Sequence, residues 1–545
     1  MNILKFSYKY LNKPKLIIYL IISLISWCIS IYLPLMNGSL IDILTLGHMK
    51  SNVYNLYIVY SILLKISILT AVNILLTYFL NISYAKLLSK TSFEMNYHIL
   101  DRVKRLSIFF FHNKNSAYLS QRLDMDTTAV SQFILSEVKN LIINILSLIM
   151  SSIILININL KISALLIILI PLYLILYLFF KKKLYKLSYK YKECQNLYFS
   201  EINSQIENIQ FVKFNSLYSI LNETLRNKFG ILFSAMLQLT KVNNVFTNSG
   251  MLITVLANIL ILIIGIQQIL AGKLSIGQFT IITTYFNTII SGVNYCLSFM
   301  ENYQNTLVSY NRINELLDLP IEDNGTRIIK HIDSISIENL YFKYSDRKDI
   351  ISDLNYIFKK GFIYKINGIN GSGKSSLVNI ITGLYTRYLG TVKYNDISIL
   401  DLDMYTIRKN LIGIVEQEPT LLKDSILNNI TYNLNTYDMN VLTTLIKNIK
   451  LDAFVFTLKD GLNTNLSEKS CNISGGEKQK ISIIRTILKN PDVIILDEAN
   501  SALDQTTTYQ LSSMLKNLKD NKIIILISHN HTFDDIVDFN VNLEN

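Results

Sequence analysis

Residues 368–376 read GINGSGKSS and fit the pattern G-x-x-x-x-G-K-[ST]. Residues of these types at this spacing suit one chemistry, the cradling of phosphate oxygens. Gly368, Gly371 and Gly373 let backbone N–H groups close around an anion, and a following helix N-terminus favours the negative charge. Asn370, Ser372 and Ser376 belong to the same expected binding set. Lys374 is spaced to reach terminal phosphates, and Ser375 to coordinate Mg²⁺ through its hydroxyl. A second element, VIILDE at 493–498, runs four apolar residues into Asp497 and Glu498. Such a strand delivers a carboxylate to its C-terminal end, where α/β sheets bind ligands. Asp497 is expected to hold Mg²⁺ or its water shell, and Glu498 to polarise an attacking water as a general base. Each motif alone has a bland reading, a Gly-rich turn or a solvated acidic turn. Their order in one domain makes nucleotide chemistry the stronger one.

These residues need a scaffold, and the surrounding pattern supplies it. The runs GFIYKI, VIILDE and KIIILIS are short and nearly continuously apolar, as strands buried on both faces are, with helix-like segments between them. This predicts an α/β domain over 333–545. The polar, turn-rich stretch LPIEDNGTRIIKHID predicts a linker over 319–332.

The first part of the chain reads differently. Apolar stretches of the ~20 residues needed to span a bilayer occur at 16–35, 56–82, 141–158, 162–180, 251–270 and 279–300. About six spanning helices are therefore expected in a membrane domain over 1–318. The first stretch lacks a small-residue cleavage site and reads as a retained anchor. Lys5, Lys9, Lys13 and Lys15 precede it, Lys104 and Arg105 follow the second, and KKKLYKLSYKYK follows the fourth. By the positive-inside rule these segments are cytoplasmic, and the helices continue into the cytoplasm through 84–138 and 181–248. The formal charge of +12 matches this distribution as well as it would match nucleic-acid binding. Cys28, Cys194, Cys296 and Cys471 are widely spaced, which suggests neither a disulfide framework nor a zinc site.

Polar residues recur at helical spacing within three spans: Thr70, Asn73, Thr77 and Asn81; Asn140, Asn144, Ser147 and Ser151; Thr280, Thr284, Asn287, Ser291, Asn294 and Ser298. Each set shares one helix face, and such a face avoids lipid. Two readings stay open, a substrate path and interhelical hydrogen bonding. Asn287 and Asn294 are expected to line a central cavity.

Residues 473–480, ISGGEKQK, carry the resemblance that joins both halves. The C-terminal domain resembles the nucleotide-binding domain of ATP-binding cassette (ABC) proteins, whose signature is L-S-G-G-Q. Ser474, Gly475 and Gly476 match it, while Ile473 and Glu477 depart at the first and fifth positions. By the same resemblance Tyr344 is the aromatic residue that stacks on adenine, Gln417 the Q-loop glutamine, Asp504 the end of the D-loop and His529 the switch histidine. Gln417 would also serve the metal, beside Ser375 and Asp497. LSEKSCN, before the signature, resembles a segment that contacts membrane-domain loops. The membrane part is similar to half-exporters of this family, with 109–130 resembling the first cytoplasmic loop and ENIQFVKFN the second.

The resemblance implies a type I exporter-like transmembrane bundle followed by an α/β P-loop NTPase domain with the ABC helical subdomain. It implies ATP and Mg²⁺ as ligands and catalysis by Lys374, Gln417, Glu498 and His529. It further implies a homodimer in which each ATP lies between one phosphate loop and the partner's signature. The expected setting is the cytoplasmic membrane, with lipid contacts and no nucleic-acid partner. For the exported amphiphilic substrate a small antibacterial or modified peptide is the leading expectation, with a lipid, lipid-linked oligosaccharide or drug as the alternative. The sequence shows no peptidase domain ahead of the first span, which disfavours leader-trimming exporters. An importer, a non-transport ABC ATPase and an ATP-gated channel are the rival functions.

Overall fold

The computed structural model describes residues 2–47, 54–111, 116–344, 350–369, 371–432, 434–466, 473–528 and 531–543. Two compact units emerge: Met1–Lys104 with Asn113–Leu319, and Arg105–His112 with Pro320–Asn545.

The first unit is helical. It contains α1 (Asn2–Tyr8), α2 (Lys13–Gly47), α3 (Tyr54–Lys104), α4 (Ser116–Gln132), α5 (Lys139–Ile158), α6 (Leu160–Glu207), α7 (Ile209–Phe214), α8 (Tyr218–Leu270) and α9 (Ile276–Leu317). One π-helical segment, Phe133–Val138, joins α4 to α5. The six expected apolar stretches fall one each in α2, α3, α5, α6, α8 and α9. Among the described residues, Lys13–Thr45, Leu56–Lys104, Arg122–Ile158 and Tyr218–Leu270 are long and apolar enough to cross a membrane. The Thr, Asn and Ser stripe of α9 lowers its hydropathy. Apolar side chains such as Ile74, Phe79, Leu252 and Ile266 point outward, the surface that a lipid solvent rather than water accommodates.

Packing within this unit follows from small residues. A Cβ placed on Gly277 of α9 would lie 2.1 Å from the Gly38 carbonyl oxygen of α2, so the two backbones touch as only glycines allow. Asp42 of α2 closes the same crossing by accepting from Gly277 N at 2.7 Å and Ser275 Oγ at 2.8 Å. Ser275 and Gln278 form a capping box that starts α9. Below this crossing Ile282, Phe286 and Ile289 of α9 pack with Leu155 of α5, Tyr173 of α6 and Ile261 of α8 into a buried core.

The second unit holds two sheets. The first is antiparallel, in the order β2 (Ile351–Lys359), β1 (Ser334–Phe342), β4 (Leu389–Tyr394), β5 (Ile397–Ser398). The second is parallel, in the order β6 (Ile412–Val415), β7 (Val493–Asp497), β8 (Ile523–Ile527), β3 (Ile363–Asn367), β9 (Phe539–Asn542). The continuous apolar runs are β3, β7 and β8, each almost wholly buried. Helix α10 (Lys374–Ile381) follows β3, and α11 (Met404–Asn410) precedes β6. Three short helices, α12 (Ile426–Thr431), α13 (Met439–Asn448) and α14 (Asp452–Thr457), lead to α15 (Gly475–Leu488), and α16 (Gln505–Leu518) follows β7.

The stretch read as a linker is laid along this second unit. Glu322 N donates to Arg105 O, Gly325 N to Leu402 O, and Ile332 is fully buried. Residues 105–111 belong to the same unit although the flanking chain on both sides is membrane-domain helix.

Candidate functional site

The parallel sheet sets the site. Strands β3 and β7 flank β8, so the loop after β3 and the acidic turn after β7 emerge at the same C-terminal edge. Gly371 and Gly373 adopt φ of 86° and 93°, the left-handed region that a side chain disfavours. A Cβ on Gly373 would also meet Ile350 at 2.7 Å. Helix α10 begins directly after, and Lys374 Nζ donates back to the carbonyls of Gly368 and Ile369 at 2.8 and 3.0 Å. The ammonium is thereby held across its own loop.

Ser375 Oγ donates to Asp497 Oδ2 at 3.3 Å, which brings the hydroxyl and carboxylate proposed for Mg²⁺ together. Burial pushes the Asp497 carboxyl above the usual aspartate range, with the neighbouring Glu498 charge adding to it and the Ser375 hydrogen bond and Lys374 opposing. A cation bound between these groups would offset that burial cost. The residue types and their separation therefore fit a hard, oxygen-liganded ion. Glu498 has φ 47°, unusual for a residue with a side chain, and its N–H donates to Ile527 O at 2.8 Å. Gln417, two residues beyond β6, donates from Nε2 to Glu498 Oε2 at 2.7 Å.

Tyr344 is half-buried. Its hydroxyl lies 3.0 Å from Ser376 Oγ and 3.3 Å from the Tyr385 hydroxyl. Tyr385 is sandwiched by Phe342 at 5.4 Å and by Phe109 at 4.5 Å, with the three rings nearly parallel. Tyr385 is absent from the motif reading, and Phe109 enters it only as the first residue of the stretch resembling the first cytoplasmic loop. Phe109 sits in an aromatic run whose sequence neighbours are membrane-domain helix, and that run gave no sign of packing beside the phosphate loop.

A second cluster gathers the signature. Ser474 caps α15, accepting from Glu477 N, while Ser474 N donates to Glu477 Oε2 at 2.9 Å. The departure at Glu477 is thus accommodated in a capping box, a role open to Glu and Gln alike; the S-x-x-E spacing carries that signal. A Cβ on Gly476 would lie 2.9 Å from Ala502 O, so the D-loop packs directly on the signature turn. Gly475 lies beside the same alanine. Asp504 caps α16 by accepting from Thr507 N at 2.8 Å and pairs with Lys480 at 3.7 Å. Its placement is that of a helix cap beside the signature helix. Asn370, Ser372 and His529 complete the expected set: Ser372 is buried in the phosphate loop, while Asn370 and His529 lie outside the described residues, as does most of LSEKSCN.

Residues 16–293 match the family model for the ABC transporter transmembrane region, and residues 351–501 match that for the ABC transporter. The chain belongs to the ABC transporter family. It is similar to ABC transporter B family member 1 of Dictyostelium discoideum, at 29% identity over 53% of this chain and 32% of that protein. It is also similar to the ATP-dependent lipid A-core flippase of Legionella pneumophila, at 29% identity over 50% of this chain and 47% of that one. The matched stretch spans about a third of the length of the first of these relatives. A solved bacterial Atm1-family ABC exporter with ATP bound shares the fold, with a TM-score of 0.88 at 19% identity over 98% of this chain and 95% of that one. The order of the chain, membrane helices first and the ATP-binding domain second, is therefore the one found in that structure.

The membrane half of this ABC transporter resolves the polar stripes into two kinds. Ser147 and Ser151 are buried, and Ser147 Oγ accepts from Trp27 Nε1 at 2.7 Å. Asn73 bonds Ser26 and Ser30. Asn73 and Ser147 thus join helices, while Thr77 and Asn81 of the α3 stripe are exposed. On α9, by contrast, Thr284, Asn287, Ser291, Asn294 and Ser298 are all exposed, opposite the buried Ile282, Phe286 and Ile289. Ser298 ends the stripe at a cavity of about 260 Å³ walled by Tyr177, Lys181, Lys182, Tyr185, Phe246 and Met300.

Proposed function

We propose that two copies of this chain form an ATP-driven exporter of an amphiphilic substrate across the cytoplasmic membrane, a small antibacterial or modified peptide before a lipid. The observation that carries this reading is the exposed polar stripe of α9 running into the aromatic and basic cavity. Amide and hydroxyl groups exposed on a membrane helix are costly against lipid and call for a wet pathway or a second copy. The cavity couples apolar walls to two lysines, which suits a cargo with one apolar part and one acidic group. That lining also supports the second reading, a flippase for an anionic lipid.

At the nucleotide, backbone N–H groups of 371–376 and Lys374 would bind the phosphates, and the exposed face of Tyr344 the base. Ser375 and Asp497 would hold Mg²⁺, which when bound neutralises charge on the phosphate oxygens. Glu498 would take the proton of the attacking water, with Gln417 orienting its carboxylate and His529 completing the set. Ser474 and Gly476 of the second copy would close on the same nucleotide, so that ATP favours the closed pair and hydrolysis releases it. The cassette would lie on the cytoplasmic side.

The test is ATPase activity of the full chain in nanodiscs against a panel of peptides, anionic lipids and drugs. Stimulation by an acidic amphiphile, lost in Lys181→Ala/Lys182→Ala, supports the reading. Equal response of the variant excludes this cavity as the substrate site. Stimulation by lipid alone selects the flippase.

A further inference from the structure

We infer that Lys365, acting through Asp534, is a positioning residue for ATP hydrolysis: it ties the phosphate-loop strand to the turn that carries Glu498. This rests on the hydrolytic reading above.

Lys365 lies on β3, three residues before Gly368, and is 5% exposed. A buried ammonium is costly unless it is paired and hydrogen-bonded. Its Nζ donates to Asp534 Oδ1 at 2.6 Å. Asp534 belongs to a short 3-10 turn, His531–Ile536, and its other oxygen meets His531 Nδ1 at 2.6 Å. The same turn carries Thr532, whose Oγ1 accepts from Asn500 Nδ2 at 2.8 Å. Asn500 is 8% exposed and lies two residues beyond Glu498. Phe533, buried between Thr532 and Asp534, anchors the turn in the core beneath β7 and β8.

A continuous series of contacts therefore runs from β3 through Lys365, Asp534, Thr532 and Asn500 to the acidic turn. That turn needs such support. Glu498 sits at φ 47°, and a residue with a side chain holds that conformation only where its surroundings over-determine it. The Asn500 to Thr532 bond restrains the turn from one side, but only while the 3-10 turn itself is fixed. The buried ion pair fixes it to the strand that also presents the phosphate loop. Nucleophile-side and phosphate-side groups thus share one frame, and small displacements between such groups are expensive in rate.

The whole chain of 545 residues in nanodiscs tests this. In Lys365→Met, kcat for ATP should fall at least about tenfold while KM for ATP stays within about twofold, the signature of a group felt only in the transition state. Lys365→Arg should recover most of the loss. Thr532→Val should reproduce the kcat defect, and the double variant should lose much less than the product of the two, because both act on one path. A pair that merely stabilises the fold would lower the melting temperature without this kcat-against-KM split. Should Lys365→Met fail to fold, Asp534→Asn and Thr532→Val carry the measurement. Unchanged kcat in the variants beside an active wild type overturns the positioning role alone. A wild type that never hydrolyses ATP overturns the hydrolytic reading and this inference with it.

Discussion

Gln417 Nε2 and Glu498 Oε2 are 2.7 Å apart, across the ends of two adjacent parallel strands. The amide holds the carboxylate in one orientation, as a proton acceptor at this edge requires. Replacing Glu498 with Gln keeps the size and the polar partner but removes the basic site. ATP binding is expected to persist while single-turnover hydrolysis falls by about 10²- to 10⁴-fold. Undiminished hydrolysis would remove Glu498 from the role of general base.

The two kinds of polar stripe predict opposite labelling. In a background with all four cysteines replaced, Asn287→Cys and Asn294→Cys should react with a membrane-impermeant maleimide in at least one nucleotide state. Ser151→Cys, fully buried between helices, should stay protected in all. Labelling at 151 but at neither α9 position would reverse the assignment of the stripes.

The α2 and α9 crossing leaves no room for a side chain at Gly277. Gly277→Val is expected to destabilise the membrane unit by at least about 1–3 kcal/mol, the scale of overpacking, and to reduce the yield of folded protein. Gly230, with open space around its Cβ position, provides the control: Gly230→Ala should be neutral or stabilising by up to about 1 kcal/mol. Thermal melting of the two variants in detergent distinguishes them.

Lys489 gives a pH signature. Burial lowers its ammonium pKa from 10.5 to about 8, and its Nζ donates to the carbonyls of Arg408 and Ile412. A lowered folded value means that the unfolded chain binds more protons between about 8 and 10.5, so stability attributable to this lysine rises across that window. The melting temperature of wild type relative to Lys489→Met should therefore increase from pH 7.5 to pH 10. A difference independent of pH would show that the lysine titrates normally.

What was legible in the sequence was local. The glycine pattern at 368–376 and the apolar runs that became β3, β7 and β8 are each written in consecutive residues, so their placement followed directly. The S-x-x-Q at Ser275 and Gln278 is equally local and encodes a capping box. The stripes show where local reading ends. Residues 140, 144, 147 and 151 repeat as 287, 291, 294 and 298 do, yet one set turns inward and the other outward, because the choice belongs to the neighbours that fill each side. Lys365 illustrates the same limit, since its partner lies 169 positions away and neither residue belongs to a nucleotide motif.

The excursion of 105–111 into the ATP-binding unit has a practical consequence. The polypeptide passes from one unit to the other three times, before Arg105, after His112 and before Pro320. A protease cut at the last passage separates 320–545 covalently but leaves it packed on 105–111, which stay attached to the membrane helices, so such a nick need not release a soluble fragment. A truncated cassette starting at Pro320 would lose the ring that stacks on Tyr385, leaving that aromatic face bare to solvent. Soluble fragments built for assays would keep their own surface covered only if the peptide bearing Phe109 were grafted back.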